Sequence, residues 1–303
     1  MLKIGVIGLG DIAQKAYLPV YSSLKDTEFH FYTRNQEKLK SISQQNRFEH
    51  IHSELESLIN SGITGAFVHS STASHEKIVE ELLNHNIHVF VDKPITDNYE
   101  GSKRLVETAE QKNLILMTGF NRRYATSYKK LKEVAQPNMV IVQKNRKSLP
   151  GEIRTFIFDD FIHVVDTMRY LFPYPLEELI VNGRMVENTL YHVVIQFISN
   201  GATAIGIMNR DNGTNEEVAQ VMGPFEKRTV YNVSKLVVSK DMEEIEMRIG
   251  DWEPTLQKRG FDQMVGDFID SVRKNSKPMI TALDALETHE ICEKIITKLN
   301  EQM

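Results

Sequence analysis

Short apolar runs alternate with segments of helical spacing from Leu2 to Thr118. This alternation is typical of a parallel sheet that carries helices on both faces. It predicts strands at 3–7, 28–33, 48–52, 66–68, 88–91 and 115–118. It also predicts helices between them, at 12–24, 36–45, 74–84 and 99–111. Such an order predicts a doubly wound α/β domain, in which ligands bind beyond the carboxyl ends of the strands.

After Asn121 the pattern changes to longer β runs that follow one another without helices between them. A helix at 125–134, a strand at 139–144 and a helix at 160–171 come first. The β runs then lie at 179–186, 191–198, 202–208, 217–222, 228–232, 235–239 and 243–248, before helices at 256–274 and 282–300. Consecutive strands of this kind favour an antiparallel or mixed sheet.

The change of pattern near 118–122 predicts two domains, 1–120 and 121–303. A length of 303 residues also exceeds the size at which one core usually keeps growing. The first domain is predicted to be α/β and the second α+β. The C-terminal helices belong to the second domain by sequence order, and they could pack back on the first.

Composition and charge narrow the classes of partner. The formal net charge of -5 gives no general basic field for nucleic acid or anionic lipid. Cys292 is the one cysteine and cannot form an internal disulfide, and the chain starts without a signal-peptide pattern. No apolar run approaches the roughly 20 residues that span a bilayer. We therefore expect a soluble, cytoplasmic protein with no nucleic-acid or membrane partner.

A glycine-rich turn directly follows the first predicted strand. Gly8 and Gly10 are followed by Asp11, Ile12 and Ala13, a G-x-G-x-x-A pattern that opens a helix. The first glycine permits the tight turn, and the second lets a pyrophosphate approach the backbone. The helix start then supplies unpaired N–H groups and a positive dipole end. The pattern predicts dinucleotide binding, with a purely structural turn as the alternative.

The end of the second predicted strand selects between the two nicotinamide dinucleotides. NAD-binding proteins generally carry an acid there for the ribose hydroxyls. This chain instead has Thr33 and Arg34, with Lys38 one turn into the next helix. A guanidinium and a hydroxyl suit a 2′-phosphate, which a carboxylate would repel. NADP(H) is favoured, and NAD(H) bound without its usual acid stays open.

Four segments together resemble the Gfo/Idh/MocA oxidoreductase family, in its MviM-like (virulence-factor-like) branch. Residues 91–94 resemble its Glu-Lys-Pro signature, with an aspartate in place of the glutamate. Residues 70–72 and His75 follow the fourth strand as the Thr-Pro-Asn segment and its histidine do. Residues 119–124 resemble the domain junction, and 159–166 the pattern of an aspartate four residues before a histidine and seven before a second aspartate. The order of these segments covers essentially the whole chain.

The resemblance implies a Rossmann domain joined to a domain with a large, open, mostly antiparallel sheet, in a homodimer or homotetramer. It adds the following residues to the cofactor site: Ser71, Thr72, His75, Asp92, Lys93, Asn121 and Arg122. His75, Asn121 and Arg122 have capping or surface roles as an equal alternative. Tyr124 is expected either to line the substrate cleft or to pack between the domains.

Hydride transfer to or from a carbon–oxygen centre needs a positioned acid or base. Lys93 is the first candidate, because it follows a central strand and its ammonium could polarise the substrate oxygen. His163 is the second, with Asp159 and Asp166 on the same helical face to orient its ring. These three, Lys93, His163 and Asp159, are predicted to contact the substrate. Asp159 as a helix cap and His163 as a core histidine are the alternatives.

The sequence therefore predicts an NADP(H)-dependent dehydrogenase or reductase that acts on a sugar, a polyol or a related carbonyl compound. Two alternatives stay open: a glycosidase that uses nicotinamide in an internal redox cycle, and a non-catalytic dinucleotide-binding sensor. The ten histidines show no metal-ligand spacing such as H-E-x-x-H, so no metal site is predicted.

Overall fold

The computed structural model describes residues 1–199, 201–247, 250 and 252–302. The chain divides into two compact units. Unit 1 comprises Met1–Gly119 and Phe261–Glu287, and unit 2 comprises Phe120–Gly260 and Thr288–Met303. Within the described residues, no helix is both long and apolar enough to cross a membrane.

Unit 1 is built on a parallel sheet. Its strands are β1 Leu2–Ile7, β2 Thr27–Tyr32, β3 His50–His52, β4 Gly65–Val68, β5 His88–Val91 and β6 Leu116–Thr118. They lie in the order β3-β2-β1-β4-β5-β6, and every pair is parallel. The predicted doubly wound sheet is confirmed. Because the order reverses next to β1, the loops after β1 and β4 diverge and leave room for a ligand.

Helices flank this sheet. They are a π-helical turn Ala13–Tyr17, α1 Leu18–Ser23, α2 Gln36–Asn46, α3 Leu55–Ile59, α4 Thr72–Asn84, α5 Tyr99–Gln111, α10 Phe261–Lys274 and the start of α11 Ala282–Asn300. The sequence pattern missed the five-residue α3. Phe268 of α10 packs against Phe67 and Phe90 of the central strands, with ring centroids 4.8 and 5.8 Å apart. This aromatic contact explains why α10 belongs to unit 1.

Unit 2 is built on a mostly antiparallel sheet. Its strands are β7 Met139–Asn145, β8 Gly151–Glu152, β9 Glu178–Val186, β10 Thr189–Ser199, β11 Ala202–Asn209, β12 Glu216–Met222, β13 Lys227–Tyr231, β14 Lys235–Lys240 and β15 Glu243–Met247. The order is β15-β14-β13-β12-β7-β11-β10-β8, and β9 also pairs with β10. The pair β7 and β11 is parallel. The predicted large, mostly antiparallel sheet is confirmed, although Arg248 of the last predicted strand lies outside the described residues.

The helices of unit 2 cover one face of the sheet. They are a 3-10 turn Asn121–Tyr124, α6 Thr126–Leu131, α7 Ile153–Phe156, a π-helical turn Ile157–Phe161, α8 Ile162–Leu171, α9 Thr255–Lys258 and the remainder of α11. Gly206 of β11 lets α8 approach closely, because a Cβ there would come within 3.0 Å of the Val164 side chain. The prediction of one helix at 256–274 was wrong. Gly260, at a φ of +83°, separates α9 from α10.

Candidate active site

Gly8 occupies a position in unit 1 that only glycine can fill. Its φ is +90°, and a Cβ there would lie 2.7 Å from the Ser70 nitrogen. Its own N–H donates to the Tyr32 carbonyl at 2.9 Å. The turn after β1 is therefore pressed between the ends of β2 and β4. A side chain there would disturb the loop after β4, at His69 and Ser70.

A cavity of about 750 Å³ opens beside this turn. It is lined by Ile7, Gly8, Leu9, Gly10, Tyr32, Thr33, Arg34, Asn35, Lys38, Leu55, His69, Ser70, Ser71, Ala73, Ser74, Lys77, Ile78 and Glu81. Six predicted cofactor residues thus meet at one cavity: Gly8, Gly10, Thr33, Arg34, Lys38 and Ser71. The lining does not include the other predicted residues of unit 1, which are Asp11, Ile12, Thr72, His75, Asp92 and Lys93.

Three cations line the cavity. They are Arg34 and Lys38, as predicted, and Lys77 of α4. Asn35 caps α2, and its side chain accepts a hydrogen bond from the Lys38 N–H at 2.9 Å. This cap fixes the start of α2 and with it the Arg34 and Lys38 backbone. Sequence reasoning missed Lys77, because its position on the next βα unit gives no local signal.

Asp92, which follows β5, belongs to a buried hydrogen-bond network. Its carboxylate accepts from the Tyr17 hydroxyl and lies 2.8 Å from His69 Nδ1. The other ring nitrogen of His69 lies 2.7 Å from the Tyr21 hydroxyl. Burial alone would raise the pKa of Asp92, but His69 and Tyr17 hold it below its usual value. Lys93, the next residue, is half-buried and joined to Pro94 by a cis peptide.

His75 connects two loops and does not line the cavity. It is 1% exposed, with Nδ1 2.9 Å from the Pro94 carbonyl and Nε2 3.0 Å from the Ser70 carbonyl. Burial lowers the pKa of His75. It therefore holds the loop after β4 to the loop that contains Lys93.

Unit 2 contains a second polar cluster, which centres on Arg122. Its guanidinium donates to both Glu217 oxygens, at 3.0 and 2.8 Å, and Nη1 lies 3.1 Å from His163 Nδ1. The Tyr128 hydroxyl donates to the same carboxylate at 3.0 Å. Burial alone would raise the pKa of Glu217, but Arg122 holds it at about 2. Asn121 donates to the Arg259 carbonyl at 2.8 Å, so both predicted junction residues are held within unit 2.

Lys144 and Asp160 lie deeper in this cluster. Lys144 Nζ is 2.5 Å from Asp160, which also accepts from Arg146 at 2.8 and 3.0 Å. Burial, with Arg122 nearby, lowers the pKa of Lys144 to about 7. Burial would raise the pKa of Asp160, but Arg146 and Lys144 hold it well below its usual range. Lys144 is thus a lysine that can change its charge near neutral pH.

The π-helical turn before α8 changes which acid is buried. Asp159 is exposed, whereas Asp160 is 8% exposed and takes the inward position. Asp166 pairs with Arg123, Nη2 to Oδ1 at 2.7 Å, and accepts from Thr288. Regular helical spacing predicts Asp159 and Asp166 on one face with His163, but Asp159 is exposed and Asp166 is buried. Each faces different surroundings.

Tyr124 is buried, at 3% exposed. The Lys129 ammonium lies 5.9 Å from its ring centroid. The contact of Tyr124 with a substrate stays a prediction.

A group of histidines lies outside both clusters, on β2 and β3. Ligand atoms of Glu28, His30 and His50 lie within 4.8 Å of one another. His30 Nε2 is 2.8 Å from Glu28, and its Nδ1 is 2.9 Å from His52 Nε2. Both ring nitrogens of His30 are thus hydrogen-bonded within the protein. This pairing accounts for the group without an ion.

Both parts of the chain match known protein families. Residues 2–120 match the model of the oxidoreductase family with an NAD-binding Rossmann fold, and residues 124–244 match that of the YceM-like C-terminal domain. YceM of Salmonella typhimurium is 32% identical over 303 residues, which is 97% of each chain. Myo-inositol 2-dehydrogenase of Thermotoga maritima is 27% identical over 198 residues, or 61% of this chain and 59% of that protein.

Solved structures agree over the full length. The crystal structure of the dehydrogenase MviM from Clostridium difficile has a TM-score of 0.94 at 30% identity, and the match covers 98% of this chain and 99% of that one. A Gfo/Idh/MocA family oxidoreductase from Vibrio cholerae has a TM-score of 0.93 at 30% identity, with 100% and 99% covered.

Proposed function

The chain belongs to the Gfo/Idh/MocA family of NAD-binding oxidoreductases, and we propose that it transfers hydride between NADP(H) and a sugar, a polyol or a related carbonyl compound. The cavity beside Gly8 is the observation that carries this proposal. Its backbone turn can accept a pyrophosphate, and the cations in its lining can bind a 2′-phosphate.

The preference for NADP(H) rests on the cations that line the cavity. They are Arg34, Lys38 and Lys77, and Glu81 is the acid among the lining residues. A 2′-phosphate carries close to two negative charges at neutral pH. Three cations therefore stabilise it more than they stabilise a ribose hydroxyl, and Arg34 can bind it in bidentate fashion.

The bound nicotinamide would supply or accept the hydride, and residues of this chain would move the accompanying proton. We propose that Lys93 performs this proton transfer. It directly follows Asp92, whose carboxylate is fixed by Tyr17 and His69, so the backbone that carries Lys93 is held in place. His75 fixes the same loop through the Pro94 carbonyl.

His163 is the second group that we propose to carry a proton. Arg122 Nη1 lies 3.1 Å from Nδ1 and 3.3 Å from Nε2 of the ring, and because a guanidinium can only donate, the ring accepts in this contact. An imidazole can take up or release a proton near neutral pH, which is the role that we propose for it. Asp159 is exposed, so we assign the orientation of this ring to Arg122.

The cofactor proposal is tested by titrating NADPH and NADH into the wild type and an Arg34→Ala variant. We expect the variant to lose about 10- to 100-fold in NADPH affinity, because hydrogen bonds to a charged group contribute about 1.5–3 kcal/mol. NADH affinity should hardly change. Lys40→Ala removes an exposed cation from the same helix, α2, and is the matched control. Tighter binding of NADH to the wild type would overturn the preference.

The catalytic proposal is tested with Lys93→Met and His163→Asn variants on a panel of sugars and polyols that includes myo-inositol. We expect the Lys93 variant to bind NADPH normally and to lose about 10²- to 10⁴-fold in kcat. Full turnover in that variant would remove the assignment. Cofactor that stays bound and is not consumed during turnover would instead identify an internal-redox glycosidase.

A further inference from the structure

Two parallel strands of unit 2 end side by side and carry cations there. β7 and β11 pair in parallel, and the Arg146 N–H donates to the Asn209 carbonyl at 2.9 Å. Lys144 is at the end of β7, and Arg210 directly follows β11. The carboxyl ends of parallel strands meet at one edge of a sheet, so these side chains lie at a common edge.

The acids of this cluster are already shared among the cations. Asp160 serves both Lys144 and Arg146. Glu217, which lies opposite Lys144 in the register of β12 with β7, is held by Arg122. Among these described side chains there are thus two paired carboxylates, Asp160 and Glu217, for four cations, of which Arg210 is the fourth. The exposed Asp159 and the buried Asp160 are the acids that act on Arg210 at longer range.

Arg210 is buried and has a donor nitrogen without an acceptor in the described part of the chain. It is 9% exposed, and no described residue accepts a hydrogen bond from its buried Nε. Its guanidinium carbon lies over the Phe156 ring, 4.9 Å from the centroid. This contact gives Nε no acceptor, and a buried donor without an acceptor is costly.

We propose that Arg210 binds an anionic group of the substrate, a carboxylate or a phosphate, with Arg146 and Lys144 adding positive charge. The substrate would then be a sugar acid or a sugar phosphate and not a neutral polyol. A planar guanidinium matches the two oxygens of either group. Assigning this anion to the substrate rests on the proposed function, whereas the anion site itself does not.

The probes for this site are D-gluconate, D-glucose 6-phosphate and inorganic phosphate, with D-glucitol and myo-inositol as neutral controls. We expect the wild type to bind at least one anionic sugar, by calorimetry at low salt, more tightly than either neutral polyol. An Arg210→Met variant should bind the anionic sugar about 10- to 100-fold more weakly. Arg210→Lys keeps the positive charge but loses the planar guanidinium, so we expect an intermediate loss of affinity from it.

Arg184→Met is the matched control. The Arg184 guanidinium carbon also lies over an aromatic ring, 4.8 Å from the Tyr191 centroid. Unlike Arg210, its side chain is 58% exposed. Its loss should leave the binding of every probe unchanged. If Arg210→Met is poorly folded, the Arg210→Lys variant and the salt dependence of wild-type binding decide the question.

Equal binding of the anionic sugar to the wild type and Arg210→Met would overturn the inference. So would tighter binding of the neutral polyols. NADPH binding is measured in the same samples, which separates the two proposals. Anion binding that depends on Arg210 without any NADPH binding would contradict the proposed function and keep the anion site.

Discussion

Replacing Arg122 by methionine would leave the Glu217 carboxylate buried without its cation. The two side chains are 10% and 12% exposed, and two charge-assisted hydrogen bonds join them. Methionine fills a similar volume but cannot donate. Of these contacts, the carboxylate would keep the hydrogen bond from the Tyr128 hydroxyl.

The pKa of Glu217 gives the magnitude. It is lowered from 4.5 to about 2, although burial alone would raise it. At about 1.4 kcal/mol for each pH unit, its surroundings stabilise the charged form by about 3 kcal/mol. Breaking a buried ion pair from one side typically costs about 3–5 kcal/mol, so the two routes agree. For a unit of this size the melting temperature should fall by about 6–20 °C.

Scanning calorimetry from pH 7 to pH 3 is the assay. Because the folded-state pKa of Glu217 is lowered, its contribution to stability is present above about pH 4.5 and is lost as the pH falls towards 2. The gap between wild type and Arg122→Met should therefore narrow in acid. The double variant with Glu217→Met should recover much of the loss. A single variant as stable as the wild type, or a gap that does not depend on pH, would refute this reasoning.

Three further predictions concern other parts of the structure. Gly8→Ala should weaken NADPH binding more than about 10-fold and lower the melting temperature, whereas Gly62→Ala, at a similar φ of +82° but with nothing within 4 Å, should cost only about 1 kcal/mol and leave binding intact. Lys144 loses its charge as the pH rises through about 7, so KM for an anionic substrate should rise there, and Lys144→Arg should abolish that step in a pH profile. Arg123→Met should destabilise the protein by about 3–5 kcal/mol in urea unfolding, because it leaves Asp166 buried and charged; an unchanged midpoint would contradict this.

The pattern of apolar residues predicted most of the fold because strand and helix periods are local. Strand β5 and helices α5 and α11 have the bounds that the pattern predicts. The turn at Gly8 was predictable for the same reason, since a tight turn after a strand needs its glycine in place. Arg34 was predictable as well, because it comes shortly after the end of β2.

The second cluster could not be predicted, because its contacts depend on register and phase. Glu217 faces Lys144 only through the pairing of β12 with β7, which no local pattern reports. The π-helical turn Ile157–Phe161 changes the helical phase, and Asp160, not the predicted Asp159, is the acid that is buried there. The alternation of residues along β7 places Lys144 and Arg146 on one face, and this was the signal in the sequence. Without knowledge of the partner strand, the same pattern indicates only the polar end of a strand.

The most direct test of the proposed function is a calorimetric titration of the intact protein with NADPH and with NADH. We expect one site per chain, saturable binding of NADPH, and weaker binding of NADH. Folded protein that binds neither nucleotide would contradict the assignment of the Gly8 cavity and with it the proposed hydride transfer.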